Sequence, residues 1–319
     1  MFQVPGWAMP DGRGLSQPAA GGTRTLALVG DDAPEFRHSL ATTIRAFDPS
    51  IRIVEAETGI EARNILLKRR PQLAFLNLQL PKLTGAEALA WSVARGIRPF
   101  TLLMSGAVLP RWIELSIELQ AYEFLGKPFD TAHVTYMLEA RRRMTTPIRL
   151  LLADGSSSAR QLIRRVLSES RFSFEIDESE NGQHALKAMR LGAYDMVFID
   201  RHLPGFDGLE LACQAAQVAP QTKLMLMASG DTSAFIQAVR QFGIAALLKK
   251  PFYLWDVEIA LHTAFGLRRP YLLNALPAYL ETEAQRLRER LAEAKRIERE
   301  SMAPPLPREV TEAESVFYL

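Results

Sequence analysis

The chain has 319 residues, 48% of them hydrophobic, and a formal net charge of +2 at pH 7. That length holds two ordinary domains, each with its own core, and that charge supplies no bulk drive towards nucleic acid. Cys213 is the single cysteine, which excludes an internal disulfide and suits a reducing compartment. No apolar run approaches the ~18 residues needed to cross a bilayer. A cytoplasmic protein without nucleic-acid or membrane partners is expected.

Residues 1–23 are rich in Gly and Pro and lack the basic-then-apolar order of a signal peptide, so a disordered tail is expected. From there, short apolar runs alternate with longer amphipathic stretches, the pattern of strands alternating with helices. The runs are 26–30, 51–56, 73–78, 100–104 and 123–126, then 149–153, 172–178, 196–199, 223–227 and 245–248. The central runs, 73–76 and 196–199, are apolar at every position, as in strands buried on both faces of a parallel sheet. Helical patterns fill the gaps, for example 62–68, 185–190 and 235–242. The expected fold class is α/β: two flavodoxin-like (βα)5 doubly wound domains in tandem, at 24–143 and 147–266.

Between them, Arg141, Arg142 and Arg143 read as the solvated end of a helix, stopped by Pro147. After Arg268, Arg269 and Pro270 a helical extension, 267–302, is expected. Its apolar positions Leu280, Ala284, Leu287, Leu291 and Ala294 are spaced alternately four and three apart. This narrow seam packs on the protein's own domains or allows a homodimer. Residues 303–319 hold three prolines and an apolar tip, 316–319, which reads as a frayed, flexible tail.

The chain also repeats itself. Asp31, Pro81, Gly85, Lys127 and Pro128 recur 123 residues later as Asp154, Pro204, Gly208, Lys250 and Pro251, and Ser105 recurs 124 residues later as Ser229. A repeat this long is a duplicated domain. One position disagrees: Asn77 stands where the second repeat has Asp200. Asp31, Asn77, Ser105, Lys127 and their counterparts fall at the carboxyl ends of the expected strands, where doubly wound sheets bind ligands. In the second repeat this gathers Asp154 and Asp200, whose mutual repulsion a divalent ion relieves, with donors for phosphoryl oxygens in Ser229 and Lys250. Such a group suits transfer of a phosphoryl group onto Asp200. His38, His133, His184, His202 and His262 are scattered without zinc-ligand spacing, and no phosphate-binding loop or nucleophile elbow occurs.

On these residues both repeats resemble the receiver domain of two-component response regulators, over most of the chain. The resemblance implies Asp200 as phosphoacceptor, Ser229 and Lys250 as its helpers, and Mg²⁺ held by Asp154, Asp200 and the backbone carbonyl of His202. It also implies a commonly cis Lys-Pro bond after the fifth strand. The first repeat keeps the acidic pair Asp31-Asp32 with Ser105 and Lys127, but a carboxamide at Asn77 forms no acyl phosphate, so it reads as a degenerate pseudo-receiver whose pocket Asn77 and Lys127 satisfy without metal. The second has Gly155 where the family places its direct metal ligand, which leaves Mg²⁺ weak or absent. Glu178 and Glu180, after the second strand, offer no substitute. Leu247 replaces the family's switch aromatic, which Phe124 retains in the first repeat.

The implied function is a response-regulator-like signalling protein without an output domain, acting through protein–protein contacts over a surface such as 231–265. It is not an enzyme beyond self-catalysed phosphoryl transfer to Asp200 and its hydrolysis. Its partners would be a histidine kinase or phosphotransfer protein and an unnamed downstream protein. The alternatives are a phosphorylation-independent scaffold and a phosphate sink for a kinase.

Overall fold

The computed structural model describes residues 24–107, 109–230 and 243–302. The expected tails, the expected helix 235–242 and residues 231–242 of the expected output surface lie outside the described residues. The first repeat runs β1 (Leu26–Gly30), α1 (Pro34–Phe47), β2 (Arg52–Ala56), α2 (Gly59–Arg69), β3 (Leu73–Asn77), α3 (Gly85–Val93), β4 (Phe100–Ser105), α4 (Pro110–Glu118), β5 (Glu123–Gly126) and α5 (Thr131–Thr145). The second runs β6 (Ile148–Ala153), α6 (Ser157–Ser168), β7 (Phe174–Ser179), α7 (Gly182–Leu191) and β8 (Met196–Asp200). A short hairpin follows, β9 (His202–Leu203) with β10 (Phe206–Asp207), then α8 (Gly208–Val218), β11 (Lys223–Ser229), β12 (Ala246–Lys250) and α9 (Leu254–Ala264). Last comes α10 (Tyr271–Met302).

Each repeat builds one parallel five-stranded sheet, in the orders β2-β1-β3-β4-β5 and β7-β6-β8-β11-β12. Strand order reverses beside β1 and β6, which opens a crevice at the carboxyl ends of those strands. The all-apolar central strands are fully buried at Leu73–Leu76 and Met196–Ile199. Helix starts are set by side-chain caps: Thr58 accepts from Glu61 N, Thr84 forms a capping box with Glu87, and Ser156 accepts from Ala159 N. Two sequence expectations need correction. Glu178 lies inside β7 rather than after it, ion-paired with Arg160 at 2.7 Å and with Arg164. The arginine run is not simply solvated, because the Arg143 guanidinium lies 4.0 Å over the ring of Phe265.

That contact belongs to a tight seam between the repeats. Helix α5 runs almost directly into β6, and one apolar cluster includes Val29, Phe75 and Leu102 of the first repeat with Leu150, Phe198 and Leu261 of the second. Polar groups lock the seam. Arg171 donates to the carbonyls of Gln120 and Ala121 at 2.7 and 3.3 Å. Glu258 accepts from Ser170 Oγ at 2.6 Å and Arg171 N at 3.0 Å. His262, fully buried, lies 2.6 Å through Nδ1 from the carbonyl of Glu258, and a carbonyl can only accept. The neutral ring therefore carries its proton on Nδ1, and Nε2 accepts the hydroxyl proton of Tyr122 at 3.0 Å. Beside Tyr122, the buried carboxylate of Glu123 accepts the backbone N–H of Tyr271, and Leu272 joins the apolar cluster of Leu76, Ala121 and Phe124. Burial pushes the Glu123 carboxyl above the ordinary range.

The described residues before Ala275 form one compact unit and those from Ala275 to Met302 belong to another. The second is the body of α10, 32 residues long counted from Tyr271, with Leu287 of its seam exposed. No helix among the described residues is long and apolar enough to cross a membrane.

Candidate functional site

The carboxyl ends of β1, β3, β4 and β5 bring Asp31, Asn77, Ser105 and Lys127 to one edge, and Asp32 follows Asp31. The buried Asp31 accepts Ala33 N on Oδ1, at 3.1 Å, and pairs with Lys127 through Oδ2. The Asn77 amide donates to Asp32 Oδ1 at 3.0 Å, while its oxygen accepts Gln79 N at 3.2 Å. The two carboxylates are thus satisfied separately: the ammonium pairs with Asp31, and the neutral carboxamide hydrogen-bonds Asp32. Ser105 Oγ accepts Ala107 N, and the Lys127-Pro128 bond is cis.

In the second repeat Lys250 does both jobs. Its ammonium bridges Asp154 Oδ2 at 2.6 Å and Asp200 Oδ1 at 2.9 Å, from a second cis bond, Lys250-Pro251. Burial alone would lower the lysine pKa, but hydrogen bonds to Asp154 and Asp200 and their charges outweigh it and hold it above the ordinary value. Asp154 is buried, with Oδ1 accepting Ser156 N at 2.8 Å. Asp200 is the more open carboxylate, its side chain 14% exposed. Ser229 is exposed at the end of β11 and lines, with Lys250 and Pro251, a cleft of about 250 Å³ walled by Leu162, Ile163, Val166 and Phe252. His202 is exposed and pairs with Asp207 across the β9–β10 hairpin.

Receiver domains bind Mg²⁺ at their phosphorylation site. As arranged here, the second pocket does not fit a resident ion. Both oxygens of Asp154 are bonded, and Gly155 supplies no carboxylate. A Cβ at Gly155 would lie 2.7 Å from Pro204 Cδ and 2.9 Å from Cγ, so the proline ring fills the space a ligating side chain would need. Among the described residues no group of three or more His, Cys, Asp or Glu side chains is arranged to hold a metal.

One functional feature escaped the sequence reading. Arg37 donates to the carbonyl of Asp31 at 2.8 Å and pairs with Glu55 at 3.0 Å. Arg160 does the same with the carbonyl of Asp154, at 2.7 Å, and Glu178. This arginine braces the acidic turn in both repeats. Its signal was present, since Arg37 and Glu55 recur 123 residues later as Arg160 and Glu178.

A family model described as the response regulator receiver domain matches residues 27–139 and again 150–261. Over 125 residues the chain is 31% identical to the transcriptional regulatory protein ResD of Bacillus subtilis (strain 168), covering 39% of this chain and 50% of that protein. It is 29% identical over 123 residues to a probable chemotaxis protein CheY of Rhizobium etli, covering 37% of this chain and 93% of that one. The chain thus spans about half the length of ResD and nearly all of the CheY protein. A crystal structure of a two-component response regulator/GGDEF domain protein aligns over 76% of this chain and 99% of its own, at 18% identity and a TM-score of 0.53. With two matched segments, two sheets of one strand order and the Asp, Ser and Lys-Pro residues at their carboxyl edges, this chain belongs to the response regulator receiver domain family of two-component signalling.

Proposed function

We propose that this protein signals through protein–protein contacts, with Asp200 as its phosphoacceptor and the first receiver as a fixed pseudo-receiver. The donor is a histidine kinase or phosphotransfer protein. The observation that carries this reading is the contrast at one position: Lys250 holds Asp200 against Asp154, whereas Asn77 spends its amide on Asp32. Asp200 Oδ1 is bonded to Lys250, and the second carboxylate oxygen is the nucleophile. It attacks the phosphorus of a phosphohistidine; the P–N bond breaks, the imidazole leaves, and an acyl phosphate forms. Lys250 offsets the charge that builds on the phosphoryl oxygens. Asn77, a neutral carboxamide, supports no such step.

Intact mass after incubation with Mg²⁺ and acetyl phosphate, beside Asp200→Asn, tests this reading. One phosphoryl group added to the native chain and none to the variant is expected. No addition from acetyl phosphate or from a panel of histidine kinases would overturn it. That outcome would favour a phosphorylation-independent scaffold, the second reading, which the Pro204 ring over Gly155 supports.

A further inference from the structure

The two receivers differ most in charge on the α2–α3 side of the first. Residues 59–98, from the start of α2 to the turn after α3, contain seven Lys or Arg and two Asp or Glu; both acids sit at helix starts, Glu61 accepting Glu57 N and Glu87 capping α3. Gly59 at the start of α2 lies against Leu83, just before α3, and Arg63 on α2 reaches Trp91 on α3. Since the helices meet start to start, and the middle of α2 meets the last turn of α3, they run in the same direction, and their basic ends lie on the same side. Lys68, Arg69 and Arg70 close α2, while Arg95 and Arg98 follow α3; all five are exposed. None of these, nor Arg63, has an ion pair with an acid among the described residues. The helix dipoles account for bases at the last turns. They do not account for Arg63 within α2, or for the exposed indole of Trp91, which carries the Arg95 guanidinium at 4.6 Å and that of Arg63 at 5.8 Å.

The repeat supplies an internal control. At the 123-residue offset, Arg63, Lys68, Arg69, Arg70, Arg95 and Arg98 become Leu186, Leu191, Gly192, Ala193, Val218 and Gln221, and Trp91 becomes Gln214. The fold therefore does not require this basic face; it belongs to the first receiver alone.

We propose that the α2–α3 face of the first receiver docks an acidic protein segment. Five of the six cations are arginines, whose planar forks match carboxylates bidentately. Stacking on Trp91 holds two of them in place before binding, which reduces the ordering cost of association. The Arg95 guanidinium already lies over the indole where a nucleic-acid base would stack, and the net charge of +2 gives little long-range steering towards a polyanion. Ile60 and Trp91 are the only large exposed apolar side chains described on α2 and α3, a small footing for a lipid surface. The partner presents carboxylates spaced along one side with a small apolar contact for Ile60 and Trp91.

Fluorescence anisotropy on the full chain tests this with three probes at 50 and 300 mM salt. They are a labelled helical peptide of about 20 residues rich in Glu, a single-stranded DNA of about 20 nucleotides, and phosphatidylglycerol vesicles. The peptide is expected to bind best, at least tenfold more weakly at the higher salt and at least tenfold more weakly to Arg63→Glu/Arg95→Glu. The control Lys187→Glu/Arg190→Glu, an equal charge change on the second receiver, is expected to bind within twofold of the native chain. The proposal is overturned by absence of peptide binding, by equal loss in the control, or by tighter binding of DNA or vesicles than of peptide. Circular dichroism melts of both doubly substituted chains establish that they remain folded.

Discussion

At Gly155 the conflict is between charge and space. A carboxylate there would complete the acidic pair, yet its Cβ would lie 2.7 Å from the ring of Pro204. Restoring the family's residue therefore does not by itself rebuild the site. Gly155→Asp is expected to destabilise the protein by about 1–3 kcal/mol through overpacking, measured by urea unfolding, and Gly155→Asp/Pro204→Ala to recover most of that loss. Lys250 presents the opposite case, a cation whose removal leaves two carboxylates facing each other. Lys250→Met is expected to cost about 1–3 kcal/mol at pH 7, below the roughly 3–5 kcal/mol of a broken fully buried pair because the lysine is partly open to water. The pH dependence has a definite sign. The folded-state pKa of Lys250 is raised, so its contribution is complete below the unfolded lysine value of about 10.4 and is lost as pH rises through the higher folded value. The native chain should lose stability above about pH 10.4 more steeply than Lys250→Met.

At the scale of elements, the seam depends on a hydroxyl and an imidazole that are 140 residues apart in sequence. Tyr122→Phe keeps the ring but leaves His262 Nε2 buried without a donor, and is expected to cost about 1–3 kcal/mol. Burial lowers the His262 pKa, with the Glu258 carbonyl bond and charge opposing it and Arg171 and Arg269 adding to it. The unfolded chain therefore takes up a proton near pH 6.5, before the folded one does. Stability present above that pH is lost as the solution falls from about 6.5 towards the lowered folded value. Urea midpoints at pH 5.5 and 7.5 should differ more for the native chain than for His262→Gln; equal differences would remove His262 as the cause. None of this could be read from sequence. The strands could, because runs such as 73–76 are apolar at every position, and the pocket could, because its residues recur in order after successive strands. Tyr122, Arg171 and His262 carry no periodic signal, and Pro204 gives no sign in sequence that it leans over Gly155. Such contacts exist only once the tertiary fold brings distant elements together.

For the whole molecule, the seam decides whether the two receivers are separate beads or one body. A linked pair with independent cores would unfold in two steps, each with its own midpoint. Here a continuous apolar cluster runs from Val29 and Phe75 to Phe198 and Leu261, and Arg171, Glu258 and His262 are satisfied across or against the same seam. Opening it would expose apolar surface on both sides and leave the Tyr122–His262 pair and the Arg171 guanidinium without these partners, so neither receiver can unfold without taking interface energy from the other. A single cooperative transition is therefore expected for the paired receivers. Chains retaining only Trp112, on α4, or only Trp255, on α9, report each receiver separately by fluorescence in urea. Coincident midpoints are the expected result. In Arg171→Ala/Tyr122→Phe, which removes the polar bonds but keeps the apolar cluster, the two midpoints should move apart. Separate midpoints already in the otherwise native background would mean that the receivers fold independently and that the seam contributes little to holding them together.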